Sequence, residues 1–313
     1  MDLKNFKDFV INYKPYEWEI DKTDQRWFAK GKHNLIYSFG RFSKVFNFLH
    51  KIKKDLSSSP KIIDVGAYPG HMIKLSKHIF KDLSEYSAVG LGLSDEFVKE
   101  VKKENVTCVD TEVDPAFPEP SKISDWNIKD NDLCIFLDTI EHLVDPTYCL
   151  DQINKSLKLN GHLLITTDNI TNWLYILYML RKGKSPNVHP ISSSKVYRGN
   201  WRPHHKEYSK DELIFFLKYS GFELVEHEYF NRKQGEYFID QENRIIKKHN
   251  LKWGLKNIIF EIIKNVGFLV PHLRNHHILL ARKVKDIHAV KSIRKTTKDR
   301  SEWLKMRIET IGY

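Results

Sequence analysis

The sequence has few cysteines and no long apolar run. Its only cysteines are Cys108, Cys134 and Cys149, and they share no metal-ligand spacing, so we expect neither a disulfide scaffold nor a structural zinc site. The longest uninterrupted apolar stretch, 173–180, is far shorter than the roughly 18 residues that a membrane-spanning helix needs. The charged first ten residues lack the apolar segment of a secretory signal. We therefore expect a cytoplasmic protein.

Composition and charge further limit the class of protein. The chain of 313 residues is 41% hydrophobic and 29% charged, which is typical of a globular protein and excludes global disorder. The net charge is +11, and residues 282–313 carry ten Lys/Arg against four Asp/Glu, or +6 of that total. A basic tail can contact nucleic acid or an anionic membrane. We favour the simpler interpretation that this basic tail is exposed to solvent, and we expect no nucleic-acid partner.

Short apolar runs alternate with helical periodicity, which predicts an α/β fold with a parallel sheet covered on both faces. Ser94 is the predicted N-cap of the helix after the second strand. The predicted strands are 61–65, 88–93, 106–109, 133–137, 162–167, 222–229 and 277–281. Between the fourth and fifth strands, a helix is predicted from about 146 to 159, followed by a turn at Asn160-Gly161.

The predicted organisation is one catalytic domain with additions. Long loops in compact domains are usually functional or disordered, and the aromatic content of the first insertion argues against disorder. The predicted units are a helical extension at 1–58 that covers part of the site, a domain at 59–285, a substrate insertion near 168–208, a helical insertion near 232–275, and a basic tail at 286–313.

The turn after the first strand, residues 64–70, reads Asp-Val-Gly-Ala-Tyr-Pro-Gly. It fits neither the dinucleotide pattern nor a P-loop. The bulky Tyr68 and Pro69, which has no N–H, favour a ligand without phosphates. Gly66 permits a sharp turn, and the helix start offers free N–H groups to a carboxylate. Because Asp64 offers an acceptor to an ammonium group, the turn suits a zwitterionic amino-acid moiety.

A second set of polar residues follows the fourth strand. Asp138 comes at the carboxyl end of that strand, and ligands of open parallel sheets bind at this edge. Glu141 and His142 follow within one turn. Glu141 and His142 could belong to the same site, or they could have structural roles. In that case Glu141 would face a helix dipole, and His142 would pack against the core or cap a helix.

These motifs together resemble the class I S-adenosylmethionine-dependent methyltransferases, most closely the branch that acts in sugar and cell-surface polysaccharide biosynthesis. The similarity covers about residues 60–230 plus a final strand near 277–283. The residues that carry it are 64–70, Glu141-His142-Leu143, 157–161, 166–169, Lys206-Glu207-Tyr208-Ser209 and 220–222.

The resemblance implies a three-layer, Rossmann-like sheet of seven mostly parallel strands, with the last strand antiparallel, and S-adenosylmethionine as cofactor. Gly92 stands where the family places a ribose-binding acid, so Asp95 is the expected substitute, and Glu112 is a rival to Asp110 for the adenine. The aromatic face of Tyr68 would attract the sulfonium. The expected cofactor-binding residues are Asp64, Gly66, Ala67, Tyr68, Gly70, Asp95, Asp110 and Asp138.

The resemblance also implies an acceptor site. His204 is the first candidate for a catalytic base or substrate ligand and His142 the second. The candidate substrate-binding residues are Trp201, Arg202, His205 and Tyr208. We expect no metal, because no His/Cys/Asp cluster shows ligand spacing along the sequence.

The expected reaction is O-methylation of a saccharide or surface-glycan precursor. Methylation of a quinone-like metabolite and a catalytically degenerate binding protein of the same fold remain open alternatives. Residues 173–180 could form an interfacial helix or a lid or core helix, and the amphipathic stretch 251–270 could lie on a membrane or form a dimer. Peripheral contact with the inner membrane face and a homodimer are therefore also left open.

Overall fold

A computed structural model of the chain describes residues 3–16, 32–114, 126–184, 204–232, 236–239, 245–248 and 269–287. The strands are β1 (Lys61–Val65), β2 (Glu85–Gly90), β3 (Val106–Asp110), β4 (Asn131–Leu137), β5 (Leu157–Asp168), β6 (Phe222–Phe230), β7 (Glu236–Ile239), β8 (Ile245–Lys248) and β9 (His276–Lys283). The helices are α1 (Leu3–Ile11), α2 (Lys32–Tyr37), α3 (Phe39–Ile52), α4 (His71–Ile79), α5 (Asp95–Lys103), α6 (Pro146–Ser156), α7 (Trp173–Lys182) and α8 (Lys210–Tyr219).

Seven strands form one sheet in the order β3-β2-β1-β4-β5-β9-β6. The pairs from β3 through β5 are parallel, whereas β9 runs antiparallel to both of its neighbours, β5 and β6. The chain order reverses at β1, so the carboxyl ends of β1 and β4 flank the crevice where ligands of such sheets bind. The predicted fold class is confirmed, including the antiparallel last strand.

The sheet separates two apolar layers. Alternate residues of β1 face opposite sides, so Ile62 joins one buried cluster while Ile63 and Val65 join the other. Buried side chains of α1, α3, α4 and α5 belong to the first cluster, and those of α6 and α8 belong to the second. The three cysteines are free.

Local signals set most element boundaries. Ser94 caps α5 as predicted, since its hydroxyl accepts the Phe97 N–H at 3.2 Å. The predicted boundary after α6 is wrong: the helix ends at Ser156, and β5 begins at Leu157. Asn160 was expected in a turn, but it lies inside this longer strand with a left-handed φ of 65°. The β4–β5 register shifts at this point, and the extra residues of β5 let the strand bend without ending.

The first insertion contains a helix rather than only irregular chain. Trp173–Lys182 form α7, and none of its residues is buried. Leu174, Leu177 and Leu180 are exposed, so the core-helix alternative is wrong, whereas the lid and interfacial alternatives stay open. Trp201 and Arg202 lie outside the described residues.

The described part of the second insertion is not the helical segment that we expected. β7 and β8 pair as an antiparallel hairpin, because the aromatic and β-branched residues of these two short runs favour strand. Most of 251–270 and nearly all of the basic tail lie outside the described residues. Among the residues that are described, no helix combines the length and apolar character needed to cross a bilayer.

The N-terminal helices α1 and α3 pack into the core, and a substitution in α3 tests this packing. Phe46 is fully buried and its ring centroid lies 5.4 Å from that of Phe6 in α1. We expect Phe46→Ala to lower the free energy of unfolding by about 3–5 kcal/mol, measured by urea denaturation. Leu180→Ala, at a residue that is 80% exposed, is the control and should change it by less than about 0.5 kcal/mol. Equal effects of the two variants would contradict this assignment.

Candidate active site

A cavity of about 280 Å³ lies at the carboxyl ends of β1 and β4. Its size is near the lower end of the range for small-molecule sites. The residues that line it come from the first turn of the sheet, the loop after β4, α2, α3 and two later segments. They are Asn34, Arg41, Phe42, Asp64, Gly66, Ala67, Tyr68, Pro69, His71, Met72, Leu137, Asp138, Thr139, Glu141, His142, His204 and Arg232.

The glycine turn forms the floor of this cavity. Gly66 adopts a φ of +80°, which favours glycine, and its N–H donates to the Val89 carbonyl at 2.8 Å. A Cβ at this position would clash with Thr139 Oγ1, and Thr139 is fixed because its hydroxyl donates to the Leu137 carbonyl at 2.9 Å. The turn after β1 and the loop after β4 therefore meet, as the sequence predicted.

Asp64 is a buried acid at the end of β1. Its carboxylate accepts the Tyr86 hydroxyl at 2.9 Å. Burial raises the pKa of Asp64 to about 7, although the hydrogen bond from Tyr86 lowers it. Ionisation of Asp64 therefore opposes folding, and this cost grows as the pH rises from about 4 to about 7. A cation bound beside Asp64 would remove this penalty.

Asp138 has the opposite electrostatic environment. Its carboxylate forms an ion pair with Arg41, accepts the Thr166 hydroxyl at 2.6 Å, and lies 3.7 Å from Arg232 Nη1. Burial would raise the pKa of Asp138, but the charges of Arg41 and Arg232 outweigh it and hold this pKa well below its usual range. Asp138 is thus ionised and already neutralised by the protein.

The two arginines are functional candidates that sequence reasoning missed. Arg41 lies on α3 and is buried, and Arg232 follows β6. Neither residue belongs to a recognisable motif, and both are far from Asp138 in the chain. Only the folded sheet brings α3 and the end of β6 to the same edge.

Glu141 and His142 occupy a 3₁₀ turn, Ile140–His142, after β4. The Glu141 carboxylate accepts the Thr167 hydroxyl at 2.8 Å. Its backbone carbonyl accepts the N–H of His205 at 2.7 Å and that of Lys206 at 3.2 Å. These two backbone bonds hold the segment before α8 against the turn and place His204 at the cavity.

His204 meets three carboxylates. Its Nδ1 lies 3.4 Å from both Glu207 Oε1 and Asp168 Oδ2, and its ring stands edge-on to His142, with the centroids 4.7 Å apart. Burial lowers the pKa of His204, but Glu207, Glu141 and Asp168 outweigh it and raise this pKa. Burial and Asp138 in turn raise the pKa of Glu141. In the ligand-free state His204 is therefore protonated near neutral pH, and it must lose this proton before it can act as a base.

The remaining predicted residues lie at various distances from this centre. Gly70 precedes α4 in a left-handed conformation. Asp95 is in the first turn of α5, and Asp110 accepts the Gly92 N–H at 2.6 Å. Neither Asp95 nor Asp110 belongs to the described lining, so their roles stay predictions. His205, outside the lining as well, also stays a prediction.

Tyr208 requires a correction. Its ring is buried in the core and meets Phe216 edge-on at 5.7 Å between centroids, and its carbonyl lies 3.1 Å from His277 Nε2. A structural role therefore replaces the substrate contact that we expected. The neighbouring Glu207 was noted only as part of a motif, and Asp168 pairs with His276 at 2.8 Å, a contact that no sequence signal marked.

Comparison with known families gives the class of protein. A family model described as a methyltransferase domain matches residues 37–227, more than half of the chain. The chain belongs to the methyltransferase domain family, and it is an enzyme of that class. The predicted methyltransferase class is confirmed.

Solved structures with similar folds have low sequence identity. A SAM-dependent methyltransferase from Archaeoglobus fulgidus is 16% identical with a TM-score of 0.43, over 77% of this chain and 94% of that one. A putative methyltransferase from Bacillus halodurans is 15% identical with a TM-score of 0.43, over 76% and 99%. An S-adenosylmethionine-dependent methyltransferase from Mesorhizobium loti is 14% identical with a TM-score of 0.43, over 74% and 95%. A search of curated proteins gives no match.

The contact between Gly66 and Thr139 can be tested against a glycine of similar conformation. Gly183 also has a positive φ, of 67°, but a Cβ there would meet nothing within 4 Å. Gly183→Ala should cost only the left-handed backbone, about 1–2 kcal/mol. Gly66→Ala should cost a further 1–3 kcal/mol, roughly, because it also displaces Thr139. Urea denaturation measures both, and equal losses would show that the two loops do not meet.

Proposed function

We propose that this enzyme transfers the methyl group of S-adenosylmethionine to a hydroxyl group of a saccharide or surface-glycan precursor. Methyl transfer follows from the family, whereas the donor and the acceptor are the proposal. The observation that carries it is one cavity with two different ends. One end has a glycine turn beside Asp64, a buried acid whose pKa is raised, and the other, the acceptor end, has charged and imidazole side chains.

The glycine-turn end suits the methionine part of the cofactor. The first turn of α4 lines the cavity through His71 and Met72, and a helix N-terminus attracts a carboxylate. Asp64 lies in the same cavity and gains from a cation, because burial disfavours its charge. An α-ammonium group beside Asp64 and an α-carboxylate at α4 would satisfy both.

The opposite end suits an acceptor rich in hydroxyl groups. Arg41 and Arg232 supply donors, and Glu141, His142 and His204 supply groups that exchange hydrogen bonds with hydroxyls. Holding the acceptor oxygen in line with the methyl group can contribute about 7–11 kcal/mol to the rate. A quinone, which is mostly apolar, would leave more of these polar groups without partners.

Contacts beyond the small-molecule acceptor stay predictions. The exposed leucines of α7 precede Arg181 and Lys182, an arrangement that suits a peripheral contact with an anionic membrane face. A cytoplasmic location and a homodimer likewise remain predictions.

The raised pKa of Asp64 makes cofactor binding depend on pH. Pairing with the ammonium group needs ionised Asp64, so binding below pH 7 must release its proton. We expect the affinity for S-adenosylmethionine to fall by up to about tenfold per pH unit below 7. Calorimetry between pH 5.5 and 7, in buffers of different ionisation enthalpy, measures the affinity and the released proton.

Two variants sharpen this test. Asp64→Asn should bind weakly with no pH dependence in this range, because the titrating group is gone. Asp151→Asn should behave like the parent; burial also raises the pKa of Asp151, but this residue is outside the cavity lining. A pH dependence that survives in Asp64→Asn would remove Asp64 from the ammonium site.

A substitution at the acceptor end of the cavity should lower turnover without lowering the affinity for the cofactor. His204→Ala should lower turnover by about 100-fold or more, while affinity for S-adenosylmethionine is retained, because the Asp64 end is intact. His50→Ala, at an exposed residue of α3, is the matched control. Turnover of His204→Ala equal to that of His50→Ala would exclude His204 from the acceptor site.

A screen identifies the acceptor class. The purified enzyme is given S-adenosylmethionine with a labelled methyl group, together with sugar nucleotides, oligosaccharides, quinols or RNA. We expect label on the sugars. Label on quinols or RNA alone would overturn the saccharide assignment, and failure to bind S-adenosylmethionine would indicate a degenerate binding protein.

A further inference from the structure

Two imidazoles and a carboxylate converge on one wall of the cavity. Glu141, His142 and His204 each offer a ligand atom, and these atoms all lie within 4.8 Å of one another. All three residues line the cavity. Glu141 and His142 are neighbours, but His204 joins them only because the chain before α8 bonds to the Glu141 carbonyl.

This donor set is that of a metal centre. Two imidazole nitrogens and one carboxylate oxygen are ligands that zinc and similar first-row divalent ions accept, and catalytic sites with three protein ligands keep a position open. We propose that Glu141, His142 and His204 bind a divalent metal ion of the zinc class at the acceptor end of the cavity.

The surroundings of His204 support this assignment. Its Nδ1 lies 3.4 Å from both Glu207 and Asp168, which leaves Nε2 as the metal-binding atom. Carboxylates that contact the distal nitrogen of a ligating histidine fix its tautomer and raise its basicity. Asp168, His204 and Glu207 also form a potential ligand group, but Asp168 and Glu207 are outside the cavity lining, so we assign them this supporting position.

The charge balance also favours a cation. Glu141 and Glu207 are buried, and in the described part of the chain no lysine or arginine lies within ion-pairing distance of either carboxylate. The Thr167 hydroxyl, 2.8 Å from Glu141 Oε2, orients this carboxylate without neutralising it. Among the described residues, the cationic partner of these carboxylates is His204 itself, 3.4 Å from Glu207, and a divalent ion bound by its ring would take over that positive charge.

The proposal replaces the expectation of a metal-free enzyme. That expectation was based on linear spacing, and here the third ligand comes from a distant segment. The open coordination position would face the cavity, where the ion would orient and polarise an acceptor hydroxyl. This consequence rests on the proposed function, whereas metal binding itself rests only on the geometry.

Cobalt binding tests the site without measuring activity. The full-length protein is treated with a chelator and titrated with Co²⁺, whose visible d–d absorption intensifies when it enters a site of low coordination number, and Zn²⁺ is then added as a competitor. We expect one Co²⁺ per chain, displaced by Zn²⁺. His142→Ala and His204→Ala should lose the absorption, and Glu141→Gln should weaken binding.

Two further variants separate loss of a metal ligand from a general loss of structure. Glu207→Gln should bind Co²⁺ about 10- to 100-fold more weakly, because His204 loses its orienting partner. His205→Ala should bind like the parent, since the neighbouring ring is outside the ligand group. Circular dichroism confirms that each variant is folded.

The outcomes are separable from those of the proposed function. Absence of Co²⁺ ligand absorption in the parent, or identical absorption in the parent and His204→Ala, would overturn the metal site. Calorimetry with S-adenosylmethionine on the same samples reports the cofactor half independently. A protein that binds the cofactor but not Co²⁺ would therefore refute only the metal site.

Discussion

The burial of several acids at one edge of the sheet is the constraint on which the site depends. Each acid needs a proton, a cation or hydrogen-bond donors, because a bare buried charge is costly. Asp138 is neutralised by Arg41 and Arg232 within the protein. Within the described residues, neither Asp64 nor Glu141 forms an ion pair with an arginine or a lysine, and the pKa of each is raised. The protein thus satisfies one acid permanently and leaves two that gain from a bound cation.

Most of the sheet could be predicted from sequence because parallel strands buried on both faces form short, continuous apolar runs. The runs that became β1 and β4 are of this kind, and each is followed by a polar turn. The errors arose where local preference and tertiary pairing differ. Leu157 was assigned to a helix because periodicity continued through it, but pairing with β4 extends β5 back to this residue. The hairpin of β7 and β8 was missed because the helical pattern that follows dominated the prediction.

The Asp64 end of the cavity could be predicted from sequence and the Arg41 end only in part, for a geometric reason. Asp64 and Gly66 lie in one turn, so their spacing along the chain reports their spacing in the fold. Arg41 and His204 come from segments far apart in sequence, and only the complete fold brings them to the same cavity. The His204 prediction came from a family resemblance, whereas no pattern marked Arg41.

The two ends of the cavity are built by different parts of the chain. The sheet's own turns build the Asp64 end, while α3, the segment before α8 and the residue after β6 build the opposite end. Arg41 nevertheless binds Asp138, which accepts the Thr166 hydroxyl of β5. Because this buried ion pair joins α3 to the sheet, loss of either partner would leave an uncompensated charge. The end of the cavity opposite Asp64 is therefore attached to the sheet through the Arg41–Asp138 pair, and this attachment is constrained.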